Sequence, residues 1–361
     1  MRVLLDLRMA TWSGVGRYSA GLARALAARD DVSLVCVTAS GDEPVVESGP
    51  RVEIVPARAN PFTPNGMHEI SSIARMHEWD VLHALHFPTP LPARHPLVVT
   101  LHDLTPLLIE GAMPSVARRA VYRRLNARAS HVADRVIVPS QNTGADVERV
   151  LPAARGKVRV TLEAADDFSA GPVGLIPGGL VPDGARYIFT MGNTKPHKDL
   201  PTLLAAFERL AQAHSDLHLL LAGAGDPAYL VARLSKPARS RVRFTGRIDD
   251  AQLRALYAGA AAFAFPSTYE GFGLPPLEAM ALGAPVVVAD ASSLPEVVGD
   301  AALLVPPRDS DAVADALERV LSDGTLRADL VARGHARASQ LTWAATAEAT
   351  VAVYREVLAG A

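Results

Sequence analysis

Short apolar runs alternate with helix-patterned segments along nearly the whole chain, and this rhythm narrows the possible folds more than any other feature. "RVLLDL", "VSLVCVT", "RVEIVPA", "DVLHALH", "PLVVTLHD" and "RVIVPS" follow one another in the first half. Each lacks the polar alternation of a half-exposed strand, so each fits a parallel sheet covered on both faces. Amphipathic stretches such as "GRYSAGLARALAARD" separate them, which is the βαβ order of a doubly wound fold. The rhythm stops at residues 169–184, "SAGPVGLIPGGLVPDG", where Gly and Pro leave no helical period and a linker is expected. It then restarts with "YIFTMGN", "LHLLLAGAG", "RVRFTGR", "AAFAFPS", "PVVVAD" and "AALLVPP". The expectation is an α/β chain of two Rossmann-like domains, 1–168 and 185–340. A helical tail, 341–361, is expected to pack back on the first domain.

Composition removes several classes. With 361 residues, 49% of them hydrophobic, the chain is long enough for two ordinary cores. A net charge of −2 gives no general attraction to nucleic acid. The single cysteine, Cys36, excludes an internal disulfide framework and suits a cytoplasmic setting. Asp6 interrupts the first apolar run too early for a signal peptide, and no run reaches the length of a membrane span.

The most informative short stretch is "YEGFGLPPLE", residues 269–278. "AAFAFPS" before it is a strand, and "PPLEAMALG" has the proline start and glycine stop of a short helix. The loop between them lies beyond the carboxyl end of a parallel strand, where open α/β sheets bind ligands. Backbone N–H groups of Phe272, Gly273 and Leu274 would point outward there, in the positive field of the helix start. Two carboxylates, Glu270 and Glu278, flank these donors. A bare phosphate would not favour them, whereas a ligand rich in hydroxyls would, and a sugar joined to a nucleotide meets both demands. The plainer alternative is that Glu278 settles the helix start and Glu270 lies on a surface loop.

Glu270, seven intervening residues and Glu278 resemble the E-x7-E motif of retaining glycosyltransferases of family four. "SGVGRY" (13–18), "VVTLHDLTPL" (98–107), "DRVIVPSQNT" (134–143), "GNTKPHKDLPTLLAAF" (192–207), "FTGRIDDAQLRALY" (244–257) and "SSLPEVVGDAALLVPPRD" (292–309) occur in that family's order. The resemblance covers nearly the whole chain and implies the GT-B architecture, two doubly wound domains facing a cleft, with 1–168 binding the acceptor and 185–340 the nucleotide sugar. It also implies roles. Glu278 would hold the nucleotide ribose and Glu270 the transferred hexose, with Phe272, Gly273 and Leu274 on sugar and phosphate. Lys198 would bind the diphosphate, and His102 would face the sugar from the first domain. The family's usual partner arginine falls at Asn193, so the second cation is open; Arg17, beside Gly14 and Gly16, is a candidate. In "GRIDD", Ile248 and Asp250 fall beside the base, where Asp249 and Asp250 have carboxylates suited to guanine.

The implied reaction is metal-independent, with no cofactor: transfer of a hexose with α linkage from a nucleoside-diphosphate sugar, by the front-face route. GDP-mannose is the first choice of donor, because "GNTKPHKD" and "GRIDD" resemble mannosyltransferase-like members; UDP-glucose or UDP-N-acetylglucosamine is the alternative. The acceptor would be a glycan, a lipid-linked glycan or a small molecule, as in polysaccharide or glycolipid biosynthesis. "DSD" at 309–311 has a metal-binding spacing but precedes a helix, where an N-cap is expected. His83, His86 and His102 do not form an expected zinc site, since strand alternation parts the first two. Arg118, Arg119, Arg123, Arg124 and Arg128 lie on one helix at 115–135, with apolar residues at 116, 120, 121 and 125. Such a helix suits peripheral contact with anionic lipid on the inner face of a membrane, or plain solvation. A dehydrogenase reading of "GVG" or "GAGD" lacks the required strand–glycine spacing and acidic residue. A two-lobed binding protein would require export.

Overall fold

The computed structural model describes residues 1–113, 115–223 and 228–360, so "GAGD" lies almost wholly outside the described residues. The chain forms two compact units.

The first unit comprises Met1–Leu107, Met113–Ala164 and the chain from Thr342 onward. Its sheet has seven parallel strands: β1 (Arg2–Asp6), β2 (Ser33–Ala39), β3 (Val52–Ala57), β4 (Val81–Ala84), β5 (Leu97–Thr100), β6 (Arg135–Val138) and β7 (Val158–Val160). Their order is β3-β2-β1-β4-β5-β6-β7, and the winding reverses between β1 and β4. β7 escapes a sequence reading because it is three residues long and only half-buried.

The C-terminal helix, Trp343–Ala359, is part of this unit's core. Its buried residues Trp343, Ala347, Val351, Tyr354 and Val357 cluster with Tyr18, Leu22 and Leu26 of the helix Ser13–Ala27. A Cβ on Gly21 would overlap the Trp343 indole, so only glycine allows this approach. Glu356 accepts from Arg135 at 2.9 Å and pairs with Arg159, and Thr346 Oγ1 donates to the Leu162 carbonyl at 2.7 Å. Beneath lies a buried polar chain: Tyr354 hydroxyl to His83 Nδ1 at 2.6 Å, His83 Nε2 to Thr100 Oγ1 at 2.8 Å, and Thr100 Oγ1 to the Tyr18 hydroxyl at 3.0 Å. Burial pushes the His83 imidazole down to about 3.

The second unit comprises Leu108–Ala112 and Ala165–Leu341. Its six parallel strands are β8 (Arg186–Met191), β9 (Leu217–Ala222), β10 (Val242–Phe244), β11 (Ala262–Phe265), β12 (Val286–Ala289) and β13 (Ala302–Val305). The order is β10-β9-β8-β11-β12-β13, reversing between β8 and β11.

Two boundaries differ from the sequence expectation. The first unit's contribution stops at Ala164, not 168, because Phe168 packs in the second core beside Tyr257. Residues 169–184 do not hang free as a linker. Ile176, Leu180 and Val181 pack on that core, the Gly174 N–H donates to the Ala251 carbonyl, and Arg254 donates to the Pro172 carbonyl at 2.7 Å. Gly and Pro there shape a strap that follows the domain surface.

Candidate active site

The reversal between β8 and β11 places two loops side by side, as topological switch points do. After β8 the chain turns through a 3-10 turn, Pro196–Lys198, and enters the helix Leu200–Ala213 through Asp199, whose φ of 48° is left-handed. After β11 it runs through residues 266–273 into the helix Leu274–Ala281. The loops are joined directly. Thr268 donates its N–H to the His197 carbonyl at 2.7 Å, and Ser267 Oγ lies 3.0 Å from the same oxygen.

This stitching brings Lys198 and Glu270 together. Lys198 Nζ donates to Glu270 Oε1 at 2.6 Å, and Ser267 Oγ donates to the same oxygen at 2.5 Å. Both charged side chains keep about one-sixth of their surface exposed, 15% and 16%. They are therefore ordered by protein contacts and still open to a ligand. The Phe265 ring lies 5.1 Å under the ammonium, a favourable face for a cation. The Glu270 backbone is fixed as well, since its N–H donates to Ser292 Oγ at 2.8 Å and its carbonyl lies 3.0 Å from Ser293 Oγ.

Gly273 begins the next helix with a φ of 130°, and a Cβ there would meet Leu294 at 2.9 Å. The N–H groups of Phe272, Gly273 and Leu274 stand at this helix start. Further along, Glu278 is 2% exposed and accepts the Tyr257 hydroxyl at 3.0 Å. The two glutamates thus occupy different environments: Glu270 is salt-bridged at the surface of the site, Glu278 buried in its floor.

Asn193 lies on the turn after β8, where its Oδ1 accepts the Lys195 N–H at 3.0 Å. Asp250 is exposed and Ile248 partly buried at the start of the helix Asp250–Ala258. Asp249 caps that helix, its Oδ1 accepting the Gln252 N–H at 2.8 Å in a reciprocal capping box. Asp309 likewise caps the helix Ser310–Ser322, accepting from Ala312 at 2.9 Å.

In the first unit, His102 follows β5. Its Nε2 donates to the Leu85 carbonyl at 2.9 Å, and its Nδ1 lies 3.3 Å from Glu163 Oε1. Tyr18 meets its ring edge-on at 4.8 Å. Gly14 and Gly16 lie in the first turn of the helix Ser13–Ala27, with Arg17 partly exposed beside them. Gly16 has a local reason to be glycine, because a Cβ would stand 2.6 Å from the Ala10 carbonyl oxygen, whereas Gly14 has open space. His83 is committed at both nitrogens to the buried chain described above.

Sequence reading missed Glu163, Ser267, Tyr257, Ser292 and Ser293. No short motif announces them, because each meets its partner through loop packing or a distant strand. Only Ser267, three residues before Glu270, lies close enough in sequence to be suspected.

A fold of two doubly wound domains with this loop pair defines the GT-B class of glycosyltransferases. Residues 177–337 match the pattern described as glycosyl transferases group 1, and residues 12–166 match glycosyltransferase family 4; the chain belongs to this family. It is 38% identical over 173 residues to the O-antigen chain mannosyltransferase B of Escherichia coli, a match covering 47% of this chain and 45% of that protein. It is 34% identical over 178 residues to the phosphatidyl-myo-inositol mannosyltransferase of Mycolicibacterium smegmatis, covering 48% and 46%. These matches span less than half the length of the curated relatives. Among solved structures, sucrose-phosphate synthase of Thermosynechococcus elongatus has a TM-score of 0.78 at 24% identity, with full coverage of both chains. The Anabaena HepE protein in complex with UDP and glucose has 0.70 at 20%, covering 99% and 100%. At these identities the structures speak for the fold.

Proposed function

We propose that the chain is a retaining hexosyltransferase that takes mannose from GDP-mannose and places it on an acceptor hydroxyl with α linkage. The observation that carries this reading is the Lys198–Glu270 pair beside the Leu274–Ala281 helix start, with buried Glu278 in the floor. It offers a cation and backbone donors for a diphosphate, and two separate carboxylates for sugar and ribose hydroxyls. The names of the two mannosyltransferases favour mannose. UDP-linked glucose or N-acetylglucosamine is the second reading, favoured by the UDP and glucose bound to the HepE protein.

In the proposed step the bond from the sugar's anomeric carbon to the phosphate breaks, and the bond to the acceptor oxygen forms on the same face. The acceptor's proton passes to the departing phosphate. Lys198 stabilises the charge that grows on that phosphate. Glu270 orients the hexose.

The test is a melting panel of GDP, UDP, ADP and dTDP on the whole chain, repeated with EDTA. The matching nucleotide raises the melting temperature, and Glu278→Ala weakens its binding by about 1.5–3 kcal/mol, the range for bonds to a charged group. Turnover persists in EDTA. No shift with any nucleotide would overturn the reading, and loss in EDTA with recovery in Mn²⁺ would overturn the metal-free step.

Peripheral membrane contact belongs to this proposal too. The helix Val116–Val132 leaves Val116 86% and Val121 56% exposed, with Arg118, Arg123 and Arg124 also at the surface. Arg119 and Arg128 are turned to the carbonyls of Leu107 and Pro90, each at 2.5 Å, and so contribute less than expected. Among the described residues no helix is long and apolar enough to cross a membrane. Binding to anionic vesicles at low salt is expected to vanish when Arg118, Arg123 and Arg124 become Ser. Vesicle binding that survives this triple change would assign the attachment elsewhere.

A further inference from the structure

After β12 the chain turns through Ala291–Leu294 into the short helix Leu294–Val298. Leu294 donates its N–H to the Ala291 carbonyl at 3.1 Å, which closes a four-residue turn. Ser292, second in that turn, has a φ of 51°, and Ser293 after it has a φ of −80° and a ψ of −12°. This is the order of a type II′ turn, whose second position favours glycine. A serine there carries a Cβ into backbone space that side chains avoid, so the position is strained. Among the described residues only Asp199, Ser292 and Arg308 combine a side chain with such a φ. Two of the three adjoin the Lys198–Glu270 pair.

Both serine hydroxyls are turned to the loop after β11. Ser292 Oγ accepts the Glu270 N–H at 2.8 Å. Ser293 Oγ, fully buried, donates to the Phe272 carbonyl at 2.5 Å and lies 3.0 Å from the Glu270 carbonyl. Ser293 also stands at the cap of its own helix, where a serine ordinarily accepts a backbone N–H from the first turn. It makes no such bond. The helix goes without its cap, and the loop receives the hydroxyl instead. The effect on the loop is directional. In a planar trans peptide the N–H points opposite to the carbonyl, so a Phe272 carbonyl drawn to Ser293 turns the Gly273 N–H away from it. Glu270 is fixed at both backbone groups, and Lys198 and Ser267 both bond its Oε1. Oε2 is then the oxygen left for a ligand.

We propose that this turn is a positioning device for the transfer step. Ser292 sets the aim of the Glu270 carboxylate, Ser293 sets that of the Gly273 N–H, and the positive φ of Ser292 is kept for that alignment. Glycine would relieve the strain but offers no oxygen to the Glu270 N–H. Such outliers persist where the surrounding structure holds them for a purpose at a site. Neither serine is assigned to the ligand itself; both act through the loop. Both roles presuppose the hexosyl transfer proposed above and name residues on which its geometry depends.

The test uses the whole chain with GDP, GDP-mannose, UDP and UDP-glucose as probes. Calorimetry gives the affinity for each. Release of nucleoside diphosphate from the sugar nucleotides, with water as acceptor, gives turnover. Ser292→Gly should keep the melting temperature within roughly 3 °C of wild type, because relief of strain offsets the lost bond. Bare-nucleotide affinity should stay within about twofold, since Lys198 and Glu278 are untouched. The affinity added by the sugar should fall roughly fivefold, the worth of one hydrogen bond, and turnover about tenfold or more. Ser292→Asn keeps a side-chain oxygen and tolerates a positive φ, so it should recover both losses. Ser293→Ala should weaken the bare nucleotide as well, because the Gly273 N–H is turned to the diphosphate. A role confined to folding would lower the melting temperature and leave the sugar's added affinity intact. If Ser292→Gly changes neither that added affinity nor turnover, the proposal is overturned. Recovery in Ser292→Asn no better than in Ser292→Gly also overturns it. A wild-type chain that binds none of the four probes overturns the transferase reading itself, which is a different failure.

Discussion

Lys198→Ala is expected to lower turnover about 10²–10³-fold, the range for removing one preorganised stabiliser of developing charge. The lysine is held before any ligand arrives, by Glu270 at 2.6 Å and by the Phe265 face. Little reorganisation is then needed when charge appears on the leaving phosphate. The change also frees Glu270, whose Oε1 retains Ser267 as a partner. A carboxylate without its cation would repel the diphosphate, so nucleotide affinity should fall together with turnover. Glu270→Ala should behave differently: the bare nucleotide binds nearly as before, while transfer collapses because the hexose loses its anchor. The pair of variants is read by turnover and by nucleotide melting shifts. Wild-type turnover in Lys198→Ala would take the lysine out of the chemistry, and equal nucleotide loss in both variants would merge the two roles.

The second large effect is on stability. Trp343→Ala should destabilise the first unit by about 3–5 kcal/mol, the usual cost of removing a large buried aromatic. Trp343 is 4% exposed and fits against Gly21, so its loss opens a cavity between two helices. Hydrogen exchange resolves the effect by unit: amides of β1 to β7 should lose protection while those of β8 to β13 keep theirs. Uniform loss would show that the units unfold as one. Acid acts on the same joint. His83 has a folded value near 3 and an ordinary unfolded value near 6.5. The unfolded chain therefore binds the extra proton between these values, and stability falls as pH drops through that window. The slope from this group is about 1.4 kcal/mol per pH unit, and exchange at pH 5 and 7 measures it. His83→Gln, which carries no titrating group, should reduce the slope, leaving the part due to His86, whose imidazole burial also holds well below its ordinary value.

Most of the architecture is legible in the sequence, because strands buried on both faces leave unbroken apolar runs. The turn from β11 into the Leu274–Ala281 helix is legible for a similar reason: Gly and Pro constrain the backbone there whatever surrounds them. Legibility ends where partners are remote in sequence. Nothing near Glu278 predicts the Tyr257 hydroxyl, and nothing near His102 predicts Glu163. The strap at 169–184 shows a different limit. Its Gly and Pro content announces irregular backbone, but whether that backbone swings free or lies on a surface depends on where Ile176, Leu180 and Val181 find apolar neighbours. Asp249 shows a third, since nothing short of the folded helix reveals that its carboxylate also forms a capping box with Gln252.

The placement of the C-terminal helix bears on the order in which the molecule assembles. The second unit's long stretch, Ala165–Leu341, lies wholly between two parts of the first. On a ribosome, β1 to β7 emerge before it, yet the core they share with Trp343, Val351 and Tyr354 stays open until after the second domain has been made. The second unit can close its long stretch while the first still shows the apolar face of the Ser13–Ala27 helix to the cell. That interval, filled by the synthesis of an entire domain, is when the nascent chain most needs a chaperone.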